Sequence, residues 1–488
     1  VEQSALDRQA ARPTLGNNNR RAGAASTAHH GETLERMRQL LSDTIGTLRA
    51  LRLARDNMVA AWPISFYRRE FIVENILGQK LFIVNCPAGV QHVFVTNSRN
   101  YRKSPSNSAT LTPLLGSGLF VSEGELWNRQ RKIMTPAVAH SRMTDYARIV
   151  IEAGKEAIDS WKAKGGEAFE VDVNEPFTIL TAEVISQIMF GYKLGEKGWT
   201  LYEAFKDYQA TAGRVHVAEL MGLPDWFPRP GRRGGRKAVA KFDSVLLDII
   251  ETGTKRGVAA PDDMLNMLLS FRDDQGQPMS RELVRDEVAS IFLAGHETTA
   301  ITLSWAFYLL DRHPSVEARV HEEVDRVFGD RDAAYGDMEK LTYCRAVIDE
   351  TLRLFPPVHI FSRQALDDDE VCGHKVPKGS FVTVASWVLH RHKLYWPDPQ
   401  EFRPERFLPE NAEKIERFAY IPFGTGPRVC LGKHLGLLEA TMLFAMTARN
   451  FKLRLKPGTV VEPLGRMTLR PRWGMPMIVQ RRLANVAA

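Results

Sequence analysis

The chain is short of cysteine, and none of its four cysteines, Cys86, Cys344, Cys372 and Cys430, lies in a CxxC pair. That spacing argues against a disulfide scaffold and a structural zinc site, and fits a reducing compartment. No stretch approaches the roughly 20 apolar residues of a membrane-spanning helix, and the N-terminus has no signal-peptide core. There is no zinc spacing, RNA-stacking motif or basic recognition helix. The net charge of +7 is spread along the chain and makes no case for nucleic acid. Internal repeats are absent, as is any flavin or nicotinamide fingerprint.

What remains is ordinary globular material, with 44% hydrophobic and 25% charged residues in 488. Residues 1 to 60 are rich in Ala, Arg, Asn and Gly at first and read as a flexible or loosely docked arm, followed by one domain over 61–488. Lys80 to Asn85 and Val90 to Thr96 are predicted as strands, being rich in Val, Ile and Phe between Pro, Gly and Asn. From Arg142 the pattern turns helical, and strands return after Asn450. The longest predicted helix runs from about Ser280 to His313, with Ser280 as N-cap, Glu282 in the first turn and Pro314 as the stop. Its middle, Ala294-Gly295-His296-Glu297-Thr298-Thr299, suits a buried helix poorly, because glycine and paired threonines lower helix propensity. Such local inconsistency marks function.

The sharpest motif is Phe423-Gly424-Thr425-Gly426-Pro427-Arg428-Val429-Cys430-Leu431-Gly432, which runs into an apolar helix from Lys433 to Glu439 and beyond. The glycines let the backbone come close to a flat cofactor. The dipole of the following helix favours a thiolate at Cys430. Cys86, Cys344 and Cys372 read as small buried apolar side chains. Glu350-Thr351-Leu352-Arg353 places an acid and a base three apart on one helix face.

The ten-residue loop resembles the haem-binding loop of cytochromes P450, in which the cysteine is the axial iron ligand. Three distant segments repeat that resemblance in order. Glu350 and Arg353 resemble the family's ExxR pair, and Arg406, in Phe402-Arg403-Pro404-Glu405-Arg406-Phe407, the arginine that completes a structural Glu-Arg-Arg network. Trp127-Asn128-Arg129-Gln130-Arg131 resembles the WxxxR helix, whose Trp127 and Arg131 contact a propionate; Arg363 resembles a further propionate arginine. Ala294, Gly295, Glu297 and Thr298 resemble the oxygen-activation motif, with Gly295 letting the helix deform, Thr298 binding dioxygen and water, and Glu297 relaying protons. His296 reads as a neighbour rather than a ligand.

The fold implied is the family's: mainly α with small β-sheets, a long central helix over the haem, and a Cys430 loop beneath it that holds haem b with help from Phe423, Arg428 and Gly432. The implied activity is insertion of one oxygen atom from O2 into a hydrophobic molecule. With no fused reductase expected, the electrons come from a separate ferredoxin or flavoprotein. Alternatives are a reductase-independent peroxygenase or isomerase, or a haem-based gas sensor. Ser106 to Phe120, Ala210 to Pro230, Val358 to Phe361 and Gly465 to Leu469 are the implied access segments. Leu223, Trp226 and Phe227, before the basic run Arg229 to Lys237, form a candidate peripheral membrane contact. Arg129, Lys132 and Lys433 are expected on the electron-donor side. A soluble bacterial, cytoplasmic type is expected; since the chain opens at Val1, a removed leader or anchor stays open.

Overall fold

The computed structural model of the chain describes residues 52–76, 79–211, 232–255, 263–273 and 275–482. All of these except Arg52 belong to the compact unit Leu53–Ala488. Residues 53–60, expected in the arm, are therefore part of the body. Asn57 is buried; it donates to the Pro463 carbonyl at 2.8 Å and accepts from the Gly465 amide at 2.8 Å. The rest of the expected arm, most of Ala210 to Pro230, and with it Leu223, Trp226 and Phe227, lie outside the described residues.

The helices that position the site are α1 (Pro87–Gln91), α2 (Gly124–Met134), α3 (Met143–Ala163), α4 (Asn174–Phe190), α5 (Glu196–Thr211), α6 (Arg281–Arg312), α7 (Thr342–Leu354) and α8 (Lys433–Asn450). Helix α6 spans the middle. Ser280 caps it by accepting from the Leu283 amide at 3.2 Å, and Pro314 opens the next helix and ends this one, as the sequence predicted. It is buried on nearly every side, as a helix at the centre of a large core must be. Phe307 on α6 packs between Phe177 of α4 and Phe444 of α8, with ring centroids 5.7 and 5.1 Å away.

The strands are small and peripheral: β1 (Phe71–Ile76), β2 (Gln79–Val84), β3 (Tyr101–Lys103), β4 (Ala168–Asp172), β5 (Phe361–Ala365), β6 (Asp369–Val371), β7 (His374–Val376), β8 (Phe381–Val384), β9 (Phe451–Leu455), β10 (Pro463–Gly465), β11 (Leu469–Pro471) and β12 (Pro476–Arg481). They form a five-stranded sheet, β1-β2-β8-β5-β3, a three-stranded sheet, β4-β12-β9, and the hairpins β6-β7 and β10-β11. Only β2 and β8 run parallel in the large sheet, with Phe82 opposite Val382.

Two expectations are corrected. Val90 to Thr96 is helical: α1 continues into a turn over His92–Thr96 closed by a bond from the Asn97 amide to the His92 carbonyl at 2.8 Å. Val90, Val93 and Phe94 are the buried residues there, and their 3–4 spacing is that of a helix face, which composition alone disguised. Cys372, expected to be buried, is exposed, and the β6-β7 hairpin folds back and brings its sulfur to 3.0 Å from that of Cys86.

Candidate active site

The Cys430 loop is held by its own backbone. The Cys430 amide donates to the Phe423 carbonyl at 2.9 Å, and the Gly424 amide to Ile421 at 3.0 Å. Gly424 and Gly426 adopt φ of 68° and 74°. At Gly426 a Cβ would stand 1.8 Å from the Phe94 carbonyl oxygen, so this glycine is required by close approach to the turn after α1. Gly432 caps α8 at its N-terminus, beside Cys430. Cys430 keeps accessible surface although protein atoms crowd around its sulfur. Burial pushes its pKa up; the hydrogen bond to the Gly432 backbone, then Arg131 and Lys433, act to lower it. A cation bound at the sulfur would complete the stabilisation of the thiolate.

Beside the loop lies an excess of half-buried positive charge. Arg428 stacks over the Trp127 ring at 4.2 Å, pairs with Glu123 and reaches the Ser122 carbonyl at 3.3 Å. Arg363, on β5, bonds its own backbone neighbour Ser362, at 3.1 Å, and lies over the Phe94 ring at 4.7 Å. Burial, then Arg428, lowers its pKa to about 10. Burial also lowers Arg131. Lys103, which the sequence reading passed over, donates to the carbonyls of Leu119, Phe120 and Ser122 at 3.1, 2.6 and 3.1 Å; burial, then Arg428, brings it down to about 7. Against these cations stands Glu123, while burial pushes the nearby Glu287 up to about 7. Such a donor set suits a ligand carrying two carboxylates, which is what the propionates of haem provide.

On α6 the accessible positions are few. Ala294 is exposed in mid-helix and Thr298, one turn on, is half-buried, whereas Phe292, Leu293, His296, Glu297 and Thr299 are buried. The helix is unbroken, and the Thr298 hydroxyl donates to the Ala294 carbonyl at 2.9 Å. Gly295 serves packing: a Cβ there would meet Ile185 of α4 at 2.7 Å. Glu297 Oε1 accepts from Gln209 Nε2 of α5 at 2.7 Å. Burial raises its pKa; Arg470, Gln209 and Thr468 act in the opposite direction. The Thr468 hydroxyl is near it but not aligned for a bond. His296 bonds the Phe292 carbonyl through Nδ1 at 2.7 Å, and burial lowers it to about 4, so it is a neutral core residue. Behind this stripe Thr299 donates to Glu439 of α8 at 3.1 Å, and burial pushes Glu439 up to about 8. An acid in an apolar helix was the signal for it.

The Glu350–Arg353–Arg406 network is present. Arg353 also donates to the carbonyls of His390, Pro399 and Glu401 at 2.8, 2.8 and 2.9 Å. Arg406 Nε lies 3.4 Å from Glu350, paired by charge without hydrogen-bond alignment. His390, unforeseen from sequence, accepts from the Ile421 amide at 2.9 Å and meets the Arg353 carbonyl through Nδ1 at 3.2 Å. It thereby ties the network to the start of the Cys430 loop. Two of the segments expected to line access also meet, since His359 bonds the Arg466 carbonyl at 2.8 Å, and Leu469 donates to the carbonyl of Pro357 just before the first of them at 2.9 Å.

A cysteine at the mouth of a helix, a cluster of cations suited to carboxylates and a central helix open at one stripe fit a haem-thiolate protein of the mainly helical kind. The chain belongs to the cytochrome P450 family, whose profile matches residues 67–472. It is 32% identical over 400 residues to cyclooctatin synthase of Streptomyces melanosporofaciens, covering 82% of this chain and 86% of that protein. It is likewise 32% identical over 350 residues to cyclooctat-9-en-7-ol 5-monooxygenase of the same organism, covering 71% and 75%. The crystal structure of the cytochrome P450DA haem domain superposes with a TM-score of 0.75 at 25% identity, covering 86% of this chain and 91% of that one. The chain is thus a cytochrome P450 monooxygenase with a cysteine-ligated haem b. Among the described residues no helix is long and apolar enough to cross a membrane.

Proposed function

We propose that this monooxygenase hydroxylates or epoxidises a hydrophobic organic substrate with one atom of O2, drawing electrons from a separate ferredoxin or flavoprotein. The carrying observation is the pairing, on an otherwise buried helix, of the open Ala294–Thr298 stripe with a buried acid at Glu297. In this reading Cys430 is the iron ligand, with Phe423 and Gly432 shaping its loop. Trp127, Arg131, Arg363 and Arg428 hold the propionates, and Lys103, whose three donors are taken by backbone carbonyls, adds only its charge. When bound, haem supplies the oxygen chemistry, and thiolate electron donation favours O–O cleavage.

The remaining work falls to the chain. Burial keeps Glu297 protonated to higher pH than a surface glutamate, so it holds a proton for delivery, while Gln209 fixes one of its oxygens. The Thr298 hydroxyl is occupied as a donor by Ala294 but keeps lone pairs to receive a water or an acid proton. Glu350, Arg353 and Arg406 act through the loop they support.

The test is a coupled assay of reductant, hydrogen peroxide and product. Thr298→Ala is expected to keep consuming reductant while product per reductant falls several-fold and peroxide rises; Glu297→Gln is expected to slow turnover and alter the solvent isotope effect. Full coupling at the wild-type rate in both variants overturns the proton-relay assignment and favours a reductase-independent peroxygenase or isomerase.

A further inference from the structure

Cys86 and Cys372 are 286 positions apart in the chain, yet their sulfurs stand 3.0 Å apart in a contact where either thiol could donate. Cys86 is buried at the N-cap of α1, and Cys372 is exposed at the tip of the β6-β7 hairpin. Val371 pairs with His374, so Cys372 and Gly373 form a two-residue turn with φ of 50° and 76°. These are the angles of a type I′ turn, which favours Asn or Gly and costs a cysteine backbone strain. Gly89 leaves the space: a Cβ there would stand 3.0 Å from both sulfurs. The hairpin is already docked on the same side, because Asp369 accepts from Tyr101 at 2.6 Å and Asn97 at 3.1 Å and meets His92 at 2.9 Å.

We infer that Cys86 and Cys372 form a redox site that a hydroperoxide closes to a disulfide and a small thiol reopens. The sulfur of Cys372, the exposed residue of the two, attacks the peroxide, giving a sulfenic acid and one water or alcohol. The Cys86 sulfur then displaces hydroxide from it, so that two thiols lose two electrons and two protons and a second water leaves. The sulfurs need approach by only about 1 Å to reach bonding distance. The bond would brace α1, whose continuing turn carries the Phe94 carbonyl against Gly426 of the Cys430 loop.

Reduced holoenzyme is treated with hydrogen peroxide, alkylated and digested with trypsin. The expected product joins the peptides 81–99 and 364–375, lighter than their sum by two hydrogens and separated by dithiothreitol. Cys86→Ser and Cys372→Ser each abolish it. In a second arm diamide, which spares the haem, replaces peroxide. The oxidised wild type is expected to lose the thiolate signature of its ferrous CO spectrum several-fold more slowly on heating, with no such gain in either variant. If Cys372 stays free or goes to sulfinic acid while the peptides remain separate, the redox site is overturned. A cross-link without slower loss overturns the brace.

Discussion

Arg353 donates through Nε and Nη2 to the two carboxylate oxygens of Glu350, at 2.6 and 2.8 Å, and neither side chain reaches solvent. A pair so placed is worth little against an apolar substitute but is expensive to break on one side. Glu350→Ala strands Arg353 and is expected to cost about 3–5 kcal/mol. Denaturant unfolding followed together with haem content should show this as poor recovery of holoprotein. A normal yield and midpoint would mean the network bears no weight.

Cys430→Ser is expected to fold and to lose the red-shifted Soret band of the ferrous CO complex. Retention of that band by the variant would place the ligand elsewhere.

Arg363→Ala and Lys103→Ala each remove a half-buried cation from the cluster proposed to hold the propionates. Losing a charge-assisted hydrogen bond is worth about 1.5–3 kcal/mol, so haem transfer to an acceptor protein should speed up roughly 10- to 150-fold for Arg363→Ala, and less for Lys103→Ala, which removes charge alone. Transfer at the wild-type rate from both variants would remove the cluster's assigned role.

Glu439 gives stability a pH dependence. Its folded pKa, about 8, lies above the ordinary 4.5, so between these values the folded state holds a proton that the unfolded chain releases. Its contribution is whole below pH 4.5 and is lost as pH rises through about 8, with a slope of up to about 1.4 kcal/mol per pH unit. Glu439→Gln should flatten stability against pH across that window, as read from urea midpoints; an unchanged slope would show that the acid ionises freely in the fold.

Lys132 and Lys433 are exposed, whereas Arg129 is engaged with Asp273 at 3.9 Å and lies over the Phe271 ring. If the donor is acidic, its second-order reduction rate should fall with salt, as the Debye length shrinks from about 10 Å at 0.1 M to about 3 Å at 1 M. Lys132→Glu should slow it further at low salt. A flat rate would mean that docking is not steered by charge.

The parts legible in the sequence were those whose cause is local. Ser280 and Pro314 bound α6 because a cap and a stop act within a turn, and Cys430 stood out because its glycines and helix lie beside it in the chain. Gly295 lies in an unbroken helix, and the neighbour that needs its small size, Ile185, is 110 positions away in the chain. Lys103, Gln209 and His390 carry no local pattern; they enter the site because β3, α5 and the segment after β8 are folded against it. The Cys86–Cys372 contact was invisible for the same reason, as spacing along a chain says nothing about a hairpin that returns.

The fit of Gly426 against the Phe94 carbonyl also bears on engineering. At 1.8 Å from a backbone atom, the alphabet open at position 426 is a single letter, and a clash there cannot be relieved by turning a side chain. Mutational libraries aimed at the ligand loop would spend their diversity better at Thr425 or Leu431, and variants at 426 should first be paired with changes in the turn over His92–Thr96.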